Sequence, residues 1–453
     1  MARVILARNR KKRLEAGHPW IFQSEVAEVQ GECEPGDIVE VSNHQGHLLG
    51  KGYINPHSQI MVRLLTYNPA EPIDLAFFIR RISEAVSLRE RFVDNPRYCR
   101  LVYGEADFLP GLIVDRFGDV LVVQILSLGM EKMREWIKQA LLEVLQPKGI
   151  YLRNDVPVRE LEGLPLTKEV LYGECPREVV IEENGLRYVV DIVEGQKTGF
   201  FYDQRENRAA IAPLMTGWGA KHGITLQPIA ADGKPLLDRQ GVRRTDAAPL
   251  ADEQGEAVLL PVDRRGKVVK NPFWDGAEVL DCFTHTGSFT LNACKHGAKK
   301  VTALDISEHA IETARRNVTM NGFLHRVQFV VANAFDYLRE SVEAGRSWDV
   351  VILDPPAFAK SRRAVPAACR GYKDINLHGM KLVRPGGYLV TASCSYHVSA
   401  ALFLETIQDA AFDAKKILRL IEWRGAGKDH PRISGVDEGD YLKFAIFEVR
   451  DRA

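Results

Sequence analysis

Ala277–Asp305 reads AEVLDCFTHTGSFTLNACKHGAKKVTALD. The stretch spells strand, tight loop, helix and strand. Val279, Leu280 and Phe283 supply a buried strand, THTGSF (284–289) is a loop of small residues, and Leu291 to His296 continue a helix that Gly297 ends. Val301 to Leu304 form the next strand. Such a βαβ unit takes a right-handed crossover. The second strand closes on Asp305, roughly 20 residues beyond the first loop, where a carboxylate can take a ribose diol. Gly287 lets backbone come close to a ligand. With one glycine the loop is not a GxGxxG pyrophosphate cradle. A small zwitterionic ligand carrying a ribose, such as S-adenosylmethionine (SAM), suits it better. The plainer reading is an ordinary turn of an α/β core.

C-terminal to this unit, strands and helices keep alternating. Ser307 is placed to cap a helix through Asn317, with Glu308 at its positive end. RVQFVVAN (326–333) and WDVVILD (348–354) are strands, the second running into a Pro-Pro turn at Asp354–Pro356. Cys369 to Val383 is helical, GGYLVTAS (386–393) is a strand stopping at Cys394, and FLETIQDAAFDA (403–414) is a helix. ILRLIEW (417–423) and YLKFAIFEV (441–449) close the sheet. The fold class is α/β, with a Rossmann-like, doubly wound sheet whose ligands gather at the carboxyl ends of the strands. Four polar residues fall just past four strands. Asp305 can hold ribose hydroxyls, Asn333 the adenine edge, and Asp354 a planar substrate, with Cys394 beside them.

The N-terminal region differs. Met1 to about Thr66 is a small β-rich module in which GDIVEVSN, HLLGKGYIN and QIMVRLLT alternate apolar and polar residues between turns. Arg3, Arg8, Arg10, Lys11, Lys12 and Arg13 come early without an acid among them, and GHPWIF with Trp20 follows. A basic run beside an aromatic suits RNA; a solvated arm next to a core tryptophan is the bland alternative. Residues 72–193 form an α+β stretch with two amphipathic helices and a hairpin, and no chemical constellation. GQKTGFFYDQRENR (195–208) is too polar for a core strand. Its Lys197, Gln204 and Arg205 suit the mouth of a sheet closing over a cofactor, or a well-bonded domain junction. Residues 217–273 read as a mobile β-hairpin insertion, since PIAADGKPLL and LPVDRRGKVV echo each other. A surface flap is the preferred reading and a substrate contact the other.

The chain's 453 residues suffice for two or three domains. Formal net charge is zero, so nucleic acid must be met by local patches. Seven scattered cysteines without a CxxC pair disfavour a disulfide framework and a metal site, and suit a reducing, cytoplasmic location. No apolar run is long enough to span a membrane.

A cysteine at a strand end beside an aspartate suggests a particular chemistry. Carbon 5 of a pyrimidine is a poor nucleophile. A thiolate adding to carbon 6 moves electron density to carbon 5, which can then take a methyl group, so one hard step becomes two easier ones. Free thiol titrates near ~8.5 and needs a nearby positive charge or base. Asp354 can steady charge on the ring, and Lys197 is a candidate cation. Cys369 is the rival nucleophile; a small buried packing residue is the alternative role for Cys394.

GQKTGFFYDQR, LDCFTHTGSF, LDPPAFAKS, CRGYKDIN and TASCS together resemble the ribosomal RNA large-subunit methyltransferase I family. The resemblance covers nearly the whole chain. It implies a PUA-like β-barrel RNA-binding domain (1–70), a central α+β domain (71–193) and a class I methyltransferase domain (194–453, with the insertion at 217–273). It implies SAM as cofactor, large-subunit (23S) ribosomal RNA as partner, and 5-methylcytosine as product. Cys394 would be the nucleophile and Asp354 the contact to the base. Asp281, Phe283, Thr286, Gly287, Asp305, Ile306, Asn333 and Ala334 would hold SAM together with Gln204, Arg205 and Asp354. Arg10, Lys11, Lys12, Trp20, Arg370 and Lys373 would meet RNA. A homodimer is a further expectation. Two alternatives stay open at this point. One is methylation of a guanine exocyclic amine, with Cys394 incidental; the other is an inactive RNA-binding assembly factor.

Overall fold

In a computed structural model, residues 1–238, 240–269 and 276–452 are described; the last residues of the expected insertion, 270–273, lie outside them. The chain divides into two compact units, Met1–Glu206 with Ala426–Asp440, and Asn207–Gly425 with Tyr441–Ala453.

Two hydrophobic cores of the first unit lie under its larger sheets. One belongs to a six-stranded sheet in the order Trp20–Phe22, Ile60–Thr66, Leu48–Ile54, Ile38–Ser42, Arg3–Leu6, Val26–Gln30. The period-2 alternation of these segments sends Val4, Leu6, Ile21, Val39, Val41, Val62 and Leu64 to one side. The other core lies under a five-stranded sheet, Thr167–Gly173, Gly149–Asn154, Val120–Ile125, Leu112–Phe117, Tyr98–Tyr103. Helices Leu75–Phe92 and Arg134–Leu145 cover it with Phe77, Phe78, Ile82, Ile137 and Leu141. The first of these helices starts where the Asp74 side chain accepts the Phe77 N–H at 3.0 Å. Thr167–Gly173 and Glu178–Glu183 are strands that their charged sequences hid. A hairpin, Glu178–Glu183 with Leu186–Asp191, ends the region. Residues 426–440 are tied in by Asp429, whose carboxylate accepts the Arg100 N–H at 3.0 Å and whose carbonyl accepts Arg89 at 2.9 Å.

Between the two cores sits Glu162, 2% exposed. Arg63, Ser58 and Asn55 reach it at 2.9, 2.7 and 2.9 Å. Burial alone would raise its pKa, but the Arg63 guanidinium and the two hydrogen bonds outweigh that and hold it below the ordinary carboxylate range.

The second unit is built on a seven-stranded sheet. Its strands are β1 (Glu278–Cys282), β2 (Lys300–Asp305), β3 (Val327–Val331), β4 (Trp348–Leu353), β5 (Val383–Ser393), β6 (Lys416–Arg424) and β7 (Lys443–Asp451). Their order is β3-β2-β1-β4-β5-β7-β6; β1 to β5 are parallel, and β7 is antiparallel to both neighbours. Helices α1 (Ser288–Lys295), α2 (Glu308–Met320), α3 (Ala334–Glu343), α4 (Val365–Leu382) and α5 (Ala400–Asp413) follow the strands. Unbroken apolar runs are needed because central strands are covered on both faces. Val350 and Ile352 of β4 join Phe289 and Ala293 of α1, while Val351 and Leu353 join Tyr372 and Ile375 of α4 and Phe403 of α5. Strand order reverses between β1 and β4, the switch point at which such sheets bind ligands. Among the described residues no helix is long and apolar enough to cross a membrane.

The region expected as an insertion from Gly217 first donates a helix, Trp218–Lys221, to this core, with Trp218 buried against Tyr388. The hairpins follow. Thr225–Pro228 pairs with Leu259–Val262. The two echoing pieces each turn at a glycine, and two further turns lie between them. Asp238, Asp252 and Asp263 each accept two backbone N–H groups, from the residues two and four further on, at 2.8–3.0 Å. The D-x-x-G spacing is therefore turn chemistry. The chain returns to the sheet where the Ala277 N–H bonds the Met215 carbonyl at 2.7 Å. That is the amino end of β1, opposite the strand ends that carry Asp354 and Cys394.

Glu162→Ala leaves Arg63 buried without its carboxylate and is expected to cost ~3–5 kcal/mol, read by urea unfolding. Because the folded carboxyl titrates below the unfolded value of about 4.3, the wild-type advantage is complete above that pH and lost as pH falls through the folded value. An unchanged midpoint at neutral pH would remove the role given to this carboxylate.

Candidate active site

β1 delivers Asp281 to the switch point. Its side chain is fully buried. Oδ2 accepts the Thr284 and Thr290 hydroxyls at 2.6 and 2.7 Å, while Oδ1 is buried with no hydrogen-bond partner among the described residues. Burial raises its pKa to about 6 against the pull of these hydroxyls. The Thr286 hydroxyl is also buried without a partner among the described residues. The loop is tightly wound, with Phe283, His285 and Gly287 at φ of +63°, +50° and +82°. A Cβ on Gly287 would stand 3.1 Å from the Ala314 Cβ in a backbone state that side chains rarely adopt.

Asp305 ends β2 and accepts two backbone N–H groups, His285 on Oδ2 and Ser307 on Oδ1, each at 2.9 Å. An ionised carboxylate has about four acceptor positions, so capacity for a diol is left. Ile306, beside it, is 69% exposed. Asn333 is exposed and caps α3, its Oδ1 accepting the Phe335 N–H at 2.9 Å; Ala334 is buried as the first residue of that helix. An adenine contact from Asn333 would use its Nδ2 or the second lone pair of its Oδ1. Two buried oxygen groups without partners among the described residues, next to a loop that Asp305 anchors, fit a ligand with an ammonium group and a ribose, as SAM has. The unsatisfied acceptor on Asp281 asks for an N–H partner.

β4 and β5 place the second half of the site. Leu353 pairs with Thr391, two residues before β5 ends at Ser393, so the residues after both strands emerge at the same edge of the sheet. Asp354 and Cys394 are each half-buried there. The Cys394 Sγ stands 3.8 Å from the Pro355 carbonyl oxygen. Cys282, by contrast, is fully buried, and burial pushes its thiol well above the ordinary value. Cys369 is half-buried on α4.

The residues flanking Cys394 hold its turn. The Ser395 Oγ accepts the Ala359 N–H at 3.1 Å and shares a hydrogen bond with the Tyr372 hydroxyl at 2.9 Å. Ser393 donates to the same hydroxyl at 3.0 Å. The Tyr372 ring packs on Phe358 at 4.7 Å. On β7, Lys443 is 2% exposed, and its Nζ donates to the carbonyls of Ser395 and Tyr441, each at 2.7 Å. Sequence reasoning passed over Tyr372, Ser393, Ser395 and Lys443. The available signal was a lysine inside the apolar run YLKFAIFEV.

Other expected site residues belong to the first unit. The Lys197 Nζ pairs with Asp203 at 3.0 Å and lies over the Phe201 ring at 4.4 Å. Gln204 and Arg205 are buried. The Arg205 guanidinium donates to the Asp94 carbonyl at 2.6 Å and to that of Tyr98. Of the early cations, Arg10 pairs with Glu15, while Lys11 and Lys12 are exposed. Trp20 is half-buried, and its Nε1 donates to Glu105 at 2.8 Å. In the second unit, Arg370 is exposed, whereas Lys373 pairs with Asp413 on α5 at 2.8 Å.

With a folded pKa of about 6 against about 3.9 when unfolded, Asp281 favours the fold fully below the unfolded value. That contribution is lost as pH rises through the folded pKa. Asp281→Asn should therefore gain thermal stability over wild type between pH 5 and 8, by ~2 kcal/mol, and bind SAM more weakly in calorimetry. A stability difference that stays flat with pH would show that burial does not load this carboxyl.

Residues 4–67 match a family model described as a PUA-like domain, and residues 274–431 one described as a methyltransferase domain. The chain is 38% identical to ribosomal RNA large subunit methyltransferase I of Alteromonas mediterranea, over 99% of both chains. It is also 38% identical to the protein of that name from Aliivibrio fischeri, over 97% of both. A solved structure assigned as a SAM-dependent methyltransferase, from Streptococcus mutans, superposes with a TM-score of 0.72 at 18% identity, covering 99% of this chain and 100% of that one. Another, assigned as a methyltransferase and complexed with SAH, superposes at 0.74 with the same identity and coverage. Those two show the fold; the full-length relatives decide the family. The chain belongs to the ribosomal RNA large-subunit methyltransferase I family.

Proposed function

We propose that the protein uses SAM to methylate carbon 5 of a cytosine in large-subunit (23S) ribosomal RNA, through a covalent bond from Cys394 to carbon 6 of the ring. The observation that carries this reading is the half-buried thiol beside the DPP turn, 3.8 Å from the Pro355 carbonyl. The names of the full-length relatives support ribosomal RNA as the substrate.

The cytosine lies between Asp354 and Cys394. The Cys394 thiolate adds to carbon 6, and the electrons of the carbon 5–carbon 6 double bond move to carbon 5. SAM, when bound, supplies the electrophilic methyl group that carbon 5 receives. Asp354 accepts from the exocyclic amine or shares a proton with the ring nitrogen, steadying the ring as charge builds. A base then removes the carbon 5 proton, the double bond re-forms, and the thiolate leaves. Asp281, Thr286, Gly287, Asp305 and Asn333 hold the cofactor at the switch point, with Phe283, Ile306 and Ala334 beside it. The base must leave its stack to reach a strand-end site, at a cost of a few kcal/mol in a duplex and less in a loop, so a loop nucleotide is the favoured target. A reducing compartment such as the cytoplasm keeps the thiol reduced.

Cys394→Ala is expected to lower methyl transfer to ribosomal RNA by about 10³-fold or more while SAM binding by calorimetry is retained. Nucleoside mass spectrometry of the wild-type product should show 5-methylcytidine. A methylated guanine amine, or full turnover by the alanine variant, would overturn the covalent reading.

A further inference from the structure

Residues 357–373, running from just after the DPP turn into α4, carry Lys360, Arg362, Arg363, Arg370 and Lys373 and no carboxylate. Lys373 is drawn off to Asp413. The other four are exposed, and none forms an ion pair among the described residues. The segment is held in place. The Ala359 N–H is bonded to Ser395, the Phe358 ring lies between Tyr372 at 4.7 Å and Phe335 at 5.8 Å, and a Cβ on Gly371 would come within 3.2 Å of that ring. Four cations on an anchored segment next to Asp354 and Cys394 repel one another, and the interaction is relieved by a spaced anion. Guanidinium forks match phosphate oxygens in pairs, and a chain of phosphodiesters matches the spacing along a loop better than a single acidic side chain does.

We propose that Lys360, Arg362, Arg363 and Arg370 form a phosphate-binding rim that grips the RNA backbone next to the target nucleotide. This rests on the RNA methyltransferase reading above. The test is binding of a large-subunit ribosomal RNA fragment by the full chain across a potassium chloride series. Arg362→Gln/Arg363→Gln should weaken binding about 10-fold or more near 0.1 M salt and lower the log–log salt slope by about 1.4, at ~0.7 per lost phosphate contact on a single strand. SAM affinity and melting temperature should stay at wild-type values. Lys360→Gln/Arg370→Gln should behave alike. Unchanged affinity and slope in both variants would overturn the rim. A wild-type chain that binds no ribosomal RNA would overturn the underlying reading instead.

The buried ammonium of Lys443 carries a second inference. It is paired in register with Ser393 and bonded to the carbonyl of Ser395, so it is anchored to the residues on both sides of Cys394. The sequence suggested Lys197 as the activating cation, but that ammonium pairs with Asp203. We infer that Lys443 is a positioning residue whose fixed charge favours the thiolate form of Cys394. Alkylation of Cys394 by iodoacetamide, followed by peptide mass spectrometry against pH, tests this without RNA. In wild type the half-maximal rate should fall below the ordinary thiol value of about 8.5. Lys443→Gln keeps a donor for the Ser395 carbonyl and loses the charge. It should move the profile to higher pH and slow alkylation about 10-fold near neutrality, the change that one pKa unit gives. Lys443→Arg should restore most of the rate. An ordinary wild-type profile, or an identical one in Lys443→Gln, would overturn the inference and leave the covalent chemistry standing.

Discussion

The parallel pairing of β4 with β5 is the constraint on which the site depends. Leu353 shares a register with Thr391, two residues before β5 ends at Ser393, so the chain leaves both strands at the same edge of the sheet. The Asp354–Pro356 turn and the Ser393–Ser395 turn are separated by a whole crossover helix in sequence, and they become neighbours because a parallel pair needs such a crossover. The helix packs closely enough that a Cβ on Gly379 would meet the Leu353 side chain at 2.9 Å. The 3.8 Å approach of Cys394 to Pro355 follows from this ladder and from the Tyr372–Ser393–Ser395 bonds behind it.

The cofactor side obeys a different logic. There the loops are held by carboxylate and amide oxygens that accept backbone N–H or hydroxyl groups. Asp305 anchors His285 and Ser307, Asn333 caps α3, and Asp281 binds two threonines. Each of these interactions uses part of a polar group's capacity. Burying such groups costs free energy unless a partner completes them. The loop therefore carries an imbalance, most visible at Asp281 Oδ1, that a cationic, ribose-bearing ligand would relieve.

The insertion shows how topology assigns a role that composition leaves open. Its glycines and aspartates announced turns, and the D-x-x-G turns are there. Its two ends meet at the amino end of β1, because Met215 and Ala277 bond to each other before the strand begins. Strands running parallel from that end carry Asp354 and Cys394 at the other. The insertion is thus rooted at the edge of the sheet away from those two residues, a placement that strand direction sets.

Much was legible in the chain itself. Runs such as WDVVILD had to be central strands because only a strand covered on both faces buries consecutive apolar residues, and a polar residue ending each run marked the ligand edge. Ser307 and the glycine of THTGSF declared a helix start and a tight loop through local backbone chemistry alone, and the motifs declared the family. Long-range pairing decided the rest. Lys443 looked like one charge in an apolar strand until antiparallel pairing set it against Ser393, and Lys373 looked like its neighbour Arg370 until helix packing gave it Asp413. Local sequence determines which elements form and where they end. Which side chains share one strand end or one counter-ion is settled only when distant segments pack, because a hydrogen bond or an ion pair depends on distance in space.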